Sequence, residues 1–469
     1  MSRSWLGGVA SQRFPTTRPG WPERRFNGED MRFQLMTIAV CTLQACGGTY
    51  DHRLATDLND YPRPDAAGEL PRGPLDGRVA SYLAHALANN PELAASFERW
   101  RAATLAISER RRLPEPVVSY GFYLQSVETR VGPQRHRVGL SQVFPWPTRF
   151  SRGADAASAR ARALQRRFDA DVLRVRRDIE VHYWRLWHVH ETHRLREEHD
   201  VVLETLIETL RGRMAVGTAS LADLTQVELT VTRHHDHRAQ HEERARAVSA
   251  RLRSLIGQPA EDQIAEVRES PPEQAPPPPE PLRARLSAHP AVETHSLHAE
   301  AAEAEADAEA ALRLPRFRVS AEFIETGPAQ TDGVPGSGDD ALIASVGLSL
   351  PLFQGSYGDS IASAQAASRA HRFDRLHVLR TSEAQLEVTL SRLRDSHRQM
   401  QLYRTTLLPQ AETVYESVLG SYQSGGSTVA AILLAQRDLL ELQLALANAR
   451  TEHAIGWAEL RYLVGEVDP

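Results

Sequence analysis

The sequence of 469 residues lacks lysine and contains only two cysteines. All 55 basic residues are therefore arginine, and the net charge of −5 does not indicate a nucleic-acid binder. Cys41 and Cys46 lie together near the N-terminus, which excludes a disulfide framework or a thiolate metal site in the rest of the chain. Past Cys46 no run approaches the roughly 18–20 apolar residues of a membrane-spanning helix. Any membrane passage must therefore use β-strands.

The pattern of the N-terminal region predicts an export signal. Residues 31–46 begin with one positive charge, continue as an apolar run and end in small residues before a cysteine. The run Leu43-Gln44-Ala45-Cys46-Gly47 resembles the lipobox of bacterial lipoproteins, which implies cleavage before Cys46 and acylation of that residue. The alternative is a cytoplasmic tail that precedes a weak apolar patch. Residues 1–30 are polar, and Met31 makes a better start.

An internal repeat organises the remaining chain. Three motifs align at one constant offset of 208 residues, which indicates a duplication. The pairs are Val138-Gly139-Leu140-Ser141 with Val346-Gly347-Leu348-Ser349, Met214-Ala215-Val216-Gly217 with Tyr422-Gln423-Ser424-Gly425, and Arg253-Ser254-Leu255-Ile256-Gly257 with Arg461-Tyr462-Leu463-Val464-Gly465.

Each repeat predicts a helix, two strands, a very long helix, a glycine turn and a return helix. The first helices are predicted at 78–112 and 284–313, and the long ones at 154–212 and 357–420. The strands are indicated by period-two alternation. In repeat one they lie around Val118–Leu124 and Val138–Gln142, with a polar loop between them, and in repeat two around Phe317–Phe323 and Leu342–Leu350. Apolar residues at strict seven-residue spacing predict a coiled-coil seam: Leu379, Leu386, Leu393, Met400, Leu407 and Val414.

These elements define the expected domain organisation. The predicted segments are an incorrectly assigned extension (1–30), a lipoprotein signal peptide (31–45), an extended linker (46–77), repeat one (78–260), a proline-rich linker (261–283) and repeat two (284–466).

The predicted strands have a physical consequence. Four strands cannot close a transmembrane barrel, which begins at about eight, and lipid does not tolerate an open strand edge. If the strands span a membrane, several protomers must pool them. We expect an apolar face to meet lipid and the alternate face to line a water-filled lumen. The lipid-facing positions are Tyr120, Phe122, Val346 and Leu348, and the lumen-facing ones are Ser119, Gly121, Ser345, Gly347 and Ser349. The alternative is a soluble hairpin pair on a periplasmic coiled coil.

The order of elements, written twice, resembles the TolC family of outer-membrane efflux proteins. Matching motifs are Asn90-Pro91-Glu92-Leu93, Leu408-Pro409-Gln410-Ala411-Glu412, and Tyr422-Gln423-Ser424-Gly425 followed by Ala435-Gln436-Arg437. Ser141-Gln142-Val143-Phe144-Pro145-Trp146-Pro147 is similar to the second-strand exit of the heavy-metal-efflux branch.

The resemblance implies a mainly α fold with a transmembrane β-barrel contribution, in which four strands per protomer form a trimeric twelve-stranded barrel above a long α-helical barrel. It also implies a homotrimer in outer-membrane lipid, a periplasmic adaptor protein and an inner-membrane pump, usually a proton-driven transporter of the RND type. No cofactor, nucleic acid or enzymatic activity is implied.

Two sets of candidate site residues follow from the resemblance. The helical hairpin tips are expected to face the adaptor; their residues are Val216, Gly217, Thr218, Tyr422, Gly425 and Gly426. Family members often narrow the lumen with acidic residues past the second tip, but Ala431 and Leu434 occupy those positions here. In repeat one, Asp223 either lines the constriction or is an ordinary solvated residue.

A histidine run supplies the remaining candidate. His234, His235, His237 and His241 include pairs at helical spacing that could offer two or three imidazoles, and His190 and His193 form another pair. With 19 histidines in the chain, solvated helix surface is the favoured interpretation, and no metal site is predicted. The leading functional hypothesis is a passive efflux conduit. An exit duct for type I protein secretion and a non-channel periplasmic scaffold are the alternatives.

Overall fold

A computed structural model describes Thr56 and residues 75–466. The contacts divide the chain into residues 1–48 and residues 49–469, and the description below concerns the second unit. The predicted signal peptide, the lipidation candidate Cys46 and most of the predicted linker 46–77 lie outside the described residues.

Both repeats contain the predicted order of elements. Their bounds in repeat one are α1 Val79–Asn89, α2 Pro91–Arg110, β1 Val117–Thr129, β2 Gly132–Pro145, α3 Pro147–Ala215 and α4 Leu221–Ile256. Their bounds in repeat two are α5 Pro279–Leu286, α6 Pro290–Ala311, β3 Arg316–Thr326, β4 Ala341–Ser349, α7 Gln354–Leu402, a π-helical segment Tyr403–Leu407, α8 Leu408–Gln423 and α9 Val429–Leu463.

The first helix of each repeat is interrupted, so the predictions of one helix over 78–112 and one over 284–313 were wrong. In repeat one the break falls at Asn90, which has an extended backbone and is followed by proline. Its side-chain oxygen accepts hydrogen bonds from the backbone N–H groups of Glu92 and Leu93, which caps α2. Its side-chain amide donates to the carbonyl of Leu255 at 2.7 Å. Asn90 therefore caps the start of α2 and is hydrogen-bonded to the C-terminal end of α4. His289 caps α6 in the corresponding place.

The long helices are close to the predicted length. The 69 residues of α3 extend over about 100 Å at 1.5 Å per residue. Each return helix is followed by a glycine with a left-handed backbone, Gly257 and Gly465, with φ of 69° and 67°. A Cβ at Gly257 would lie 2.1 Å from the carbonyl oxygen of Asn89. Glycine is therefore required there both for its conformation and for close packing.

Pro409 explains the interruption of the outbound helix in repeat two. Proline has no N–H to donate and displaces the preceding turn. The chain accommodates it with the π-helical turn Tyr403–Leu407, in which the N–H of Leu408 donates to the carbonyl of Tyr403. The hydroxyl of Thr405 also donates to the Gln401 carbonyl at 2.8 Å. The helix thus continues through the proline with one residue more in that turn.

The extra residue changes the predicted coiled-coil seam. Leu386, Leu393 and Met400 are buried as the seven-residue spacing predicts, but Val414 is 54% exposed. Past the π-helical turn the inward-facing positions fall one residue later, at the partly buried Tyr415 and the buried Tyr422. The prediction that Val414 continues the seam was wrong because a π-helical turn rotates all following side chains by about 100°.

Three large apolar clusters, and a small one of Ile107 and Ala161 between α2 and α3, hold the helices together. The largest joins α1, α2 and α3 to α4 and α9 through aromatic side chains such as Tyr82, Phe97 and Tyr183. A second joins α5, α7 and α9 around Leu386, and a third lies at the two hairpin tips. The two repeats therefore share their cores.

The proline-rich linker is fixed to the helices. Glu273 accepts from Arg450 of α9 and from Arg404 of the π-helical turn. Burial alone would raise the pKa of this carboxyl, but the hydrogen bonds and charges of the two arginines outweigh burial and lower it. His453 of α9 lies within 2.8 Å of the Gln274 carbonyl.

Candidate functional sites: the open sheet and the hairpin tips

The four strands form one antiparallel sheet in the order β1-β2-β3-β4. The central joint, between β2 and β3, links the two repeats, with Val138 opposite Phe323 and Leu140 opposite Ala321. Each of β1 and β4 has one edge that pairs with no strand within residues 75–466. The sheet therefore presents two free edges, which native proteins normally pair or cover.

One face of this sheet is apolar across all four strands. The register places Tyr120 beside Val138, Val138 beside Phe323, and Phe323 beside Leu342. All four of the predicted lipid-facing residues are exposed on this face, with relative exposures of 66% for Tyr120, 58% for Phe122, 77% for Val346 and 53% for Leu348. Soluble monomers rarely expose a continuous apolar surface of this kind. The face requires a cover that one protomer does not provide within the described residues.

The opposite face is polar and small. Ser119 lies opposite Gly139, and Ser345 lies opposite Ser320. Arg137 and Glu322 form an ion pair of 3.7 Å on the same face. A Cβ at Gly139 would come within 2.6 Å of the Ser119 hydroxyl oxygen, so this face is also tightly spaced.

The strands of the first hairpin are longer than predicted. The polar stretch expected to be a loop belongs to β1 as far as Thr129 and to β2 from Gly132. The loop 327–340 lies against the turn of this hairpin, since Gly327 donates to the Pro133 carbonyl at 2.7 Å and Gly338 to the Val131 carbonyl at 2.8 Å. The two hairpin ends are therefore joined.

The first helical hairpin tip is a glycine turn followed by a capped helix. Gly217 has φ of 75°, and the N–H of Thr218 donates to the Arg213 carbonyl at 2.8 Å, which closes α3. Ser220 and Asp223 form a reciprocal capping box at the start of α4. The carboxylate of Asp223 accepts the Ser220 hydroxyl at 2.6 Å. Asp223, a candidate for the aperture, thus has a local structural role.

The second tip repeats the first. Gly425 has φ of 83°, and the N–H of Gly426 donates to the Ser421 carbonyl at 2.8 Å. Thr428 caps α9 by accepting from the N–H of Ala431, the second aperture candidate, at 3.3 Å. A Cβ added at Gly217 or Gly425 would meet no atom of the described residues within 4 Å. Both turns therefore expose their backbone.

The remaining tip and aperture residues divide between core and surface. Tyr422 is only 8% exposed, and the Arg213 guanidinium lies 4.5 Å from its ring centre, so it joins the two tips internally. Val216 is exposed at the first tip, and Leu434 is exposed on α9.

The predicted histidine run does not converge on one point. His234 pairs with Asp200 of α3 at 2.6 Å. His241 is buried, and burial together with the charges of Arg196 and Arg244 lowers its pKa to about 4. In the second histidine pair, His193 lies 3.2 Å from Glu197.

A different group of metal-ligand side chains is assembled by the fold. Among residues 75–466, His295, His371 and Asp374 form the only group of three or more such side chains whose ligand atoms lie together. The sequence prediction missed it because His295 is on α6 and the other two residues are on α7.

Comparisons with known proteins identify the class of this fold. The structure matches the outer membrane protein VceC of Vibrio cholerae with a TM-score of 0.66 at 17% identity, over 82% of this chain and 96% of that one. It matches the CmeC outer membrane channel of Campylobacter jejuni with a TM-score of 0.65 at 14% identity, over 82% and 85% of the two chains. For the MtrE outer membrane channel of Neisseria gonorrhoeae the values are 0.65, 16%, 83% and 89%. The fold is therefore that of outer-membrane channels with a periplasmic helical barrel.

The second repeat matches a known family. Residues 282–466 match the family model described as outer membrane efflux protein. No curated protein matches the sequence. The family consists of channels that are not enzymes, reside in the outer membrane and work as homotrimers with adaptors and inner-membrane pumps. Within the described part of the chain, no helix combines the length and the apolar character needed to span a bilayer.

Proposed function

We propose that this chain is one protomer of a trimeric exit duct that passively conducts small molecules or metal ions out of the cell. The energy for transport comes from an inner-membrane pump of the RND type, which a periplasmic adaptor connects to the duct. The observation that carries this proposal is the open sheet, with one apolar face, one polar face and two free edges.

The strand lengths fit a membrane role. The four strands contain 13, 14, 11 and 9 residues, and a tilted strand needs about 9–11 residues to cross a bilayer. Aromatic side chains lie at the end of the sheet next to the long helices, where Trp146 stacks on Phe317 and Phe353 is exposed. Aromatic residues at this level match the interfacial girdle of transmembrane barrels.

The repeat indicates how copies close the barrel. Within one chain, β2 of repeat one pairs with β3 of repeat two. The equivalent joint between two copies pairs β4 of one with β1 of the next. Val346 of β4 is equivalent to Val138 of β2, which faces Phe323 of β3. In the joint between copies, Val346 would therefore face a residue of β1 in the next copy, either Phe122 or, two residues further along the same face, Leu124. Three copies then supply twelve strands, and no edge remains open to lipid.

The tips are the proposed adaptor contacts. Their positive-φ glycines leave the backbone at Gly217 and Gly425 open, so a partner chain can approach it closely. Val216, Thr218 and Gly426 complete this surface. Tyr422 supports it from inside rather than through direct contact, since its ring is buried.

Two further assignments complete the proposal. Acylation of Cys46 would anchor the mature protein to the outer membrane. Asp223, Ala431 and Leu434 lie within the first turns of the return helices, where the tunnel is expected to be narrowest. A neutral, apolar constriction at Leu434 would distinguish this duct from relatives with acidic apertures.

Cysteine cross-linking in the outer membrane tests the proposed joint. We expect Val346→Cys combined with Phe122→Cys or with Leu124→Cys to form, on oxidation, covalent species of two and then three chains, with three as the limit. Val346→Cys combined with Tyr123→Cys is the matched control, because one residue along a strand points to the other face. If neither same-face pair cross-links while both proteins are present in the outer membrane, the proposed β4–β1 joint is wrong.

A further inference from the structure

Helices α6 and α7 bring two histidines and a carboxylate to one point of the helix interface. His295 comes from α6, whereas His371 and Asp374 are one turn apart on α7. One ligand atom from each residue lies within 4.8 Å of the other two. His295 is far from the other two residues in sequence, and only the packing of α6 against α7 brings it to them.

The distances are close to those of a metal centre. The Nδ1 atom of His371 lies 3.5 Å from Oδ2 of Asp374, and Nδ1 of His295 lies 4.0 Å from the same oxygen. Bonds of about 2.0–2.1 Å in a tetrahedral zinc site separate the ligand atoms by roughly 3.3 Å. Small side-chain rotations would therefore close the site around an ion.

The Nδ1 atoms of His295 and His371 have no hydrogen-bond partner among the described residues. Both Nδ1 atoms are buried. A buried polar atom without a partner is costly, so the arrangement calls for a ligand. An ion between the nitrogens and the carboxylate would satisfy both atoms at once.

The surroundings allow an ion to enter and hold one ligand in place. The Asp374 side chain is 56% exposed, so solvent reaches the site and a water molecule can fill a fourth position. The His298 ring stacks on the His371 ring with 5.1 Å between centres, which restricts that imidazole. The positive charge of Arg167 on α3 lies near His295 and disfavours a bound cation, whereas the negative charge of the Asp374 carboxylate favours one.

We propose that His295, His371 and Asp374 bind one divalent transition-metal ion of the zinc class. Two imidazoles, one carboxylate and one open position are a donor set that such ions accept. The bound ion would tie α6 to α7, which continue into strands β3 and β4 of the same hairpin. This proposal does not depend on the duct function, since metal binding is measured without transport.

Zinc titration of the untagged, metal-stripped trimer in detergent tests the site. By calorimetry we expect one tight zinc site per chain, and with cobalt in place of zinc we expect the visible absorption of a tetrahedral complex. Loss of an outer-shell partner already weakens metal sites about 10–100-fold, so His371→Ala and Asp374→Asn should each weaken binding at least about 100-fold. His377→Ala is the matched control, since it removes an exposed histidine from the same helix.

Each outcome bears on the proposal. Zinc should raise the Tm of the wild type and of His377→Ala but not the Tm of the two ligand variants. If these residues had only a structural role, zinc would not distinguish the ligand variants from the wild type. If His371→Ala fails to fold, His295→Gln replaces it, because glutamine retains the bulk and polarity of the side chain. The proposal is overturned if the wild type shows no tight site, or if the ligand variants bind zinc as the control does.

Discussion

The two faces of the sheet predict opposite effects for one substitution placed on neighbouring residues. Val346 lies in the middle of β4, is 77% exposed and faces Val319 on the apolar side. Ser345 precedes it, is also exposed and faces Ser320 on the polar side. Since side chains alternate along a strand, Val346→Arg points into lipid and Ser345→Arg points into the lumen.

The expected difference is large. An arginine at the lipid-facing midplane of a barrel costs about 2–4 kcal/mol. Three copies therefore cost roughly 6–12 kcal/mol per trimer. Ser345→Arg carries no such penalty, and three added positive charges in the lumen should instead shift ion selectivity towards anions.

Refolding into lipid vesicles measures the first effect, and the reversal potential under a salt gradient measures the second. We expect Val346→Arg to reduce the inserted, heat-modifiable trimer strongly, and Ser345→Arg to insert as the wild type does with altered selectivity. Equal tolerance of both substitutions, or failure of Ser345→Arg alone, would contradict the assigned faces.

Two further predictions concern packing and docking. A methyl group at Gly456 would lie 2.8 Å from a Leu393 side-chain carbon. In denaturant melts Gly456→Ala should therefore lower the free energy of unfolding by about 1–3 kcal/mol, and Leu393→Ala should lower it by about 2–5 kcal/mol. Because the two residues touch, the loss in the double variant should be smaller than the sum of the single losses by about 0.5–3 kcal/mol, and strict additivity would refute this contact. Gly217→Asn or Gly425→Asn should keep the left-handed turn at a cost of about 1 kcal/mol but reduce co-purification of the adaptor. The control Gly355→Asn, also in open space, should change neither the stability nor the co-purification. Unchanged co-purification in both tip variants would refute the docking role.

The architecture could be predicted from the sequence because the same order of elements occurs in both repeats. One constant offset places Gly217 and Gly425 in equivalent turns, and the structure gives both a positive φ and the same closing hydrogen bond. The fold class is confirmed, and the second repeat matches the outer membrane efflux protein family. Alternation along the strands also predicts the apolar face, because side-chain direction in a strand depends only on residue parity.

Only some of the features missed by the sequence prediction depend on contacts between distant residues. The break at Asn90 has a local cause, since Asn90 caps α2 and Pro91 follows it, and its hydrogen bond to the Leu255 carbonyl adds a distant contact. The displaced seam depends on how the helix accommodates Pro409, which could have bent or ended it. The His295 group arises from the pairing of two helices, and no local spacing reveals it. The polar ends of β1 and β2 were predicted as a loop because polar composition alone does not distinguish strand from loop.

Recording from single trimers in planar bilayers tests the central claim most directly, namely that pooled strands enclose a conducting channel. The mature chain beginning at Cys46, confirmed as a membrane-inserted trimer, should show discrete, uniform conductance steps. Because an apolar constriction at Leu434 could hold the tunnel closed, Leu434→Gly is recorded in parallel and should conduct at least as well. Inserted trimers of both proteins that carry no current would contradict the duct, as would failure of the folded chain to insert.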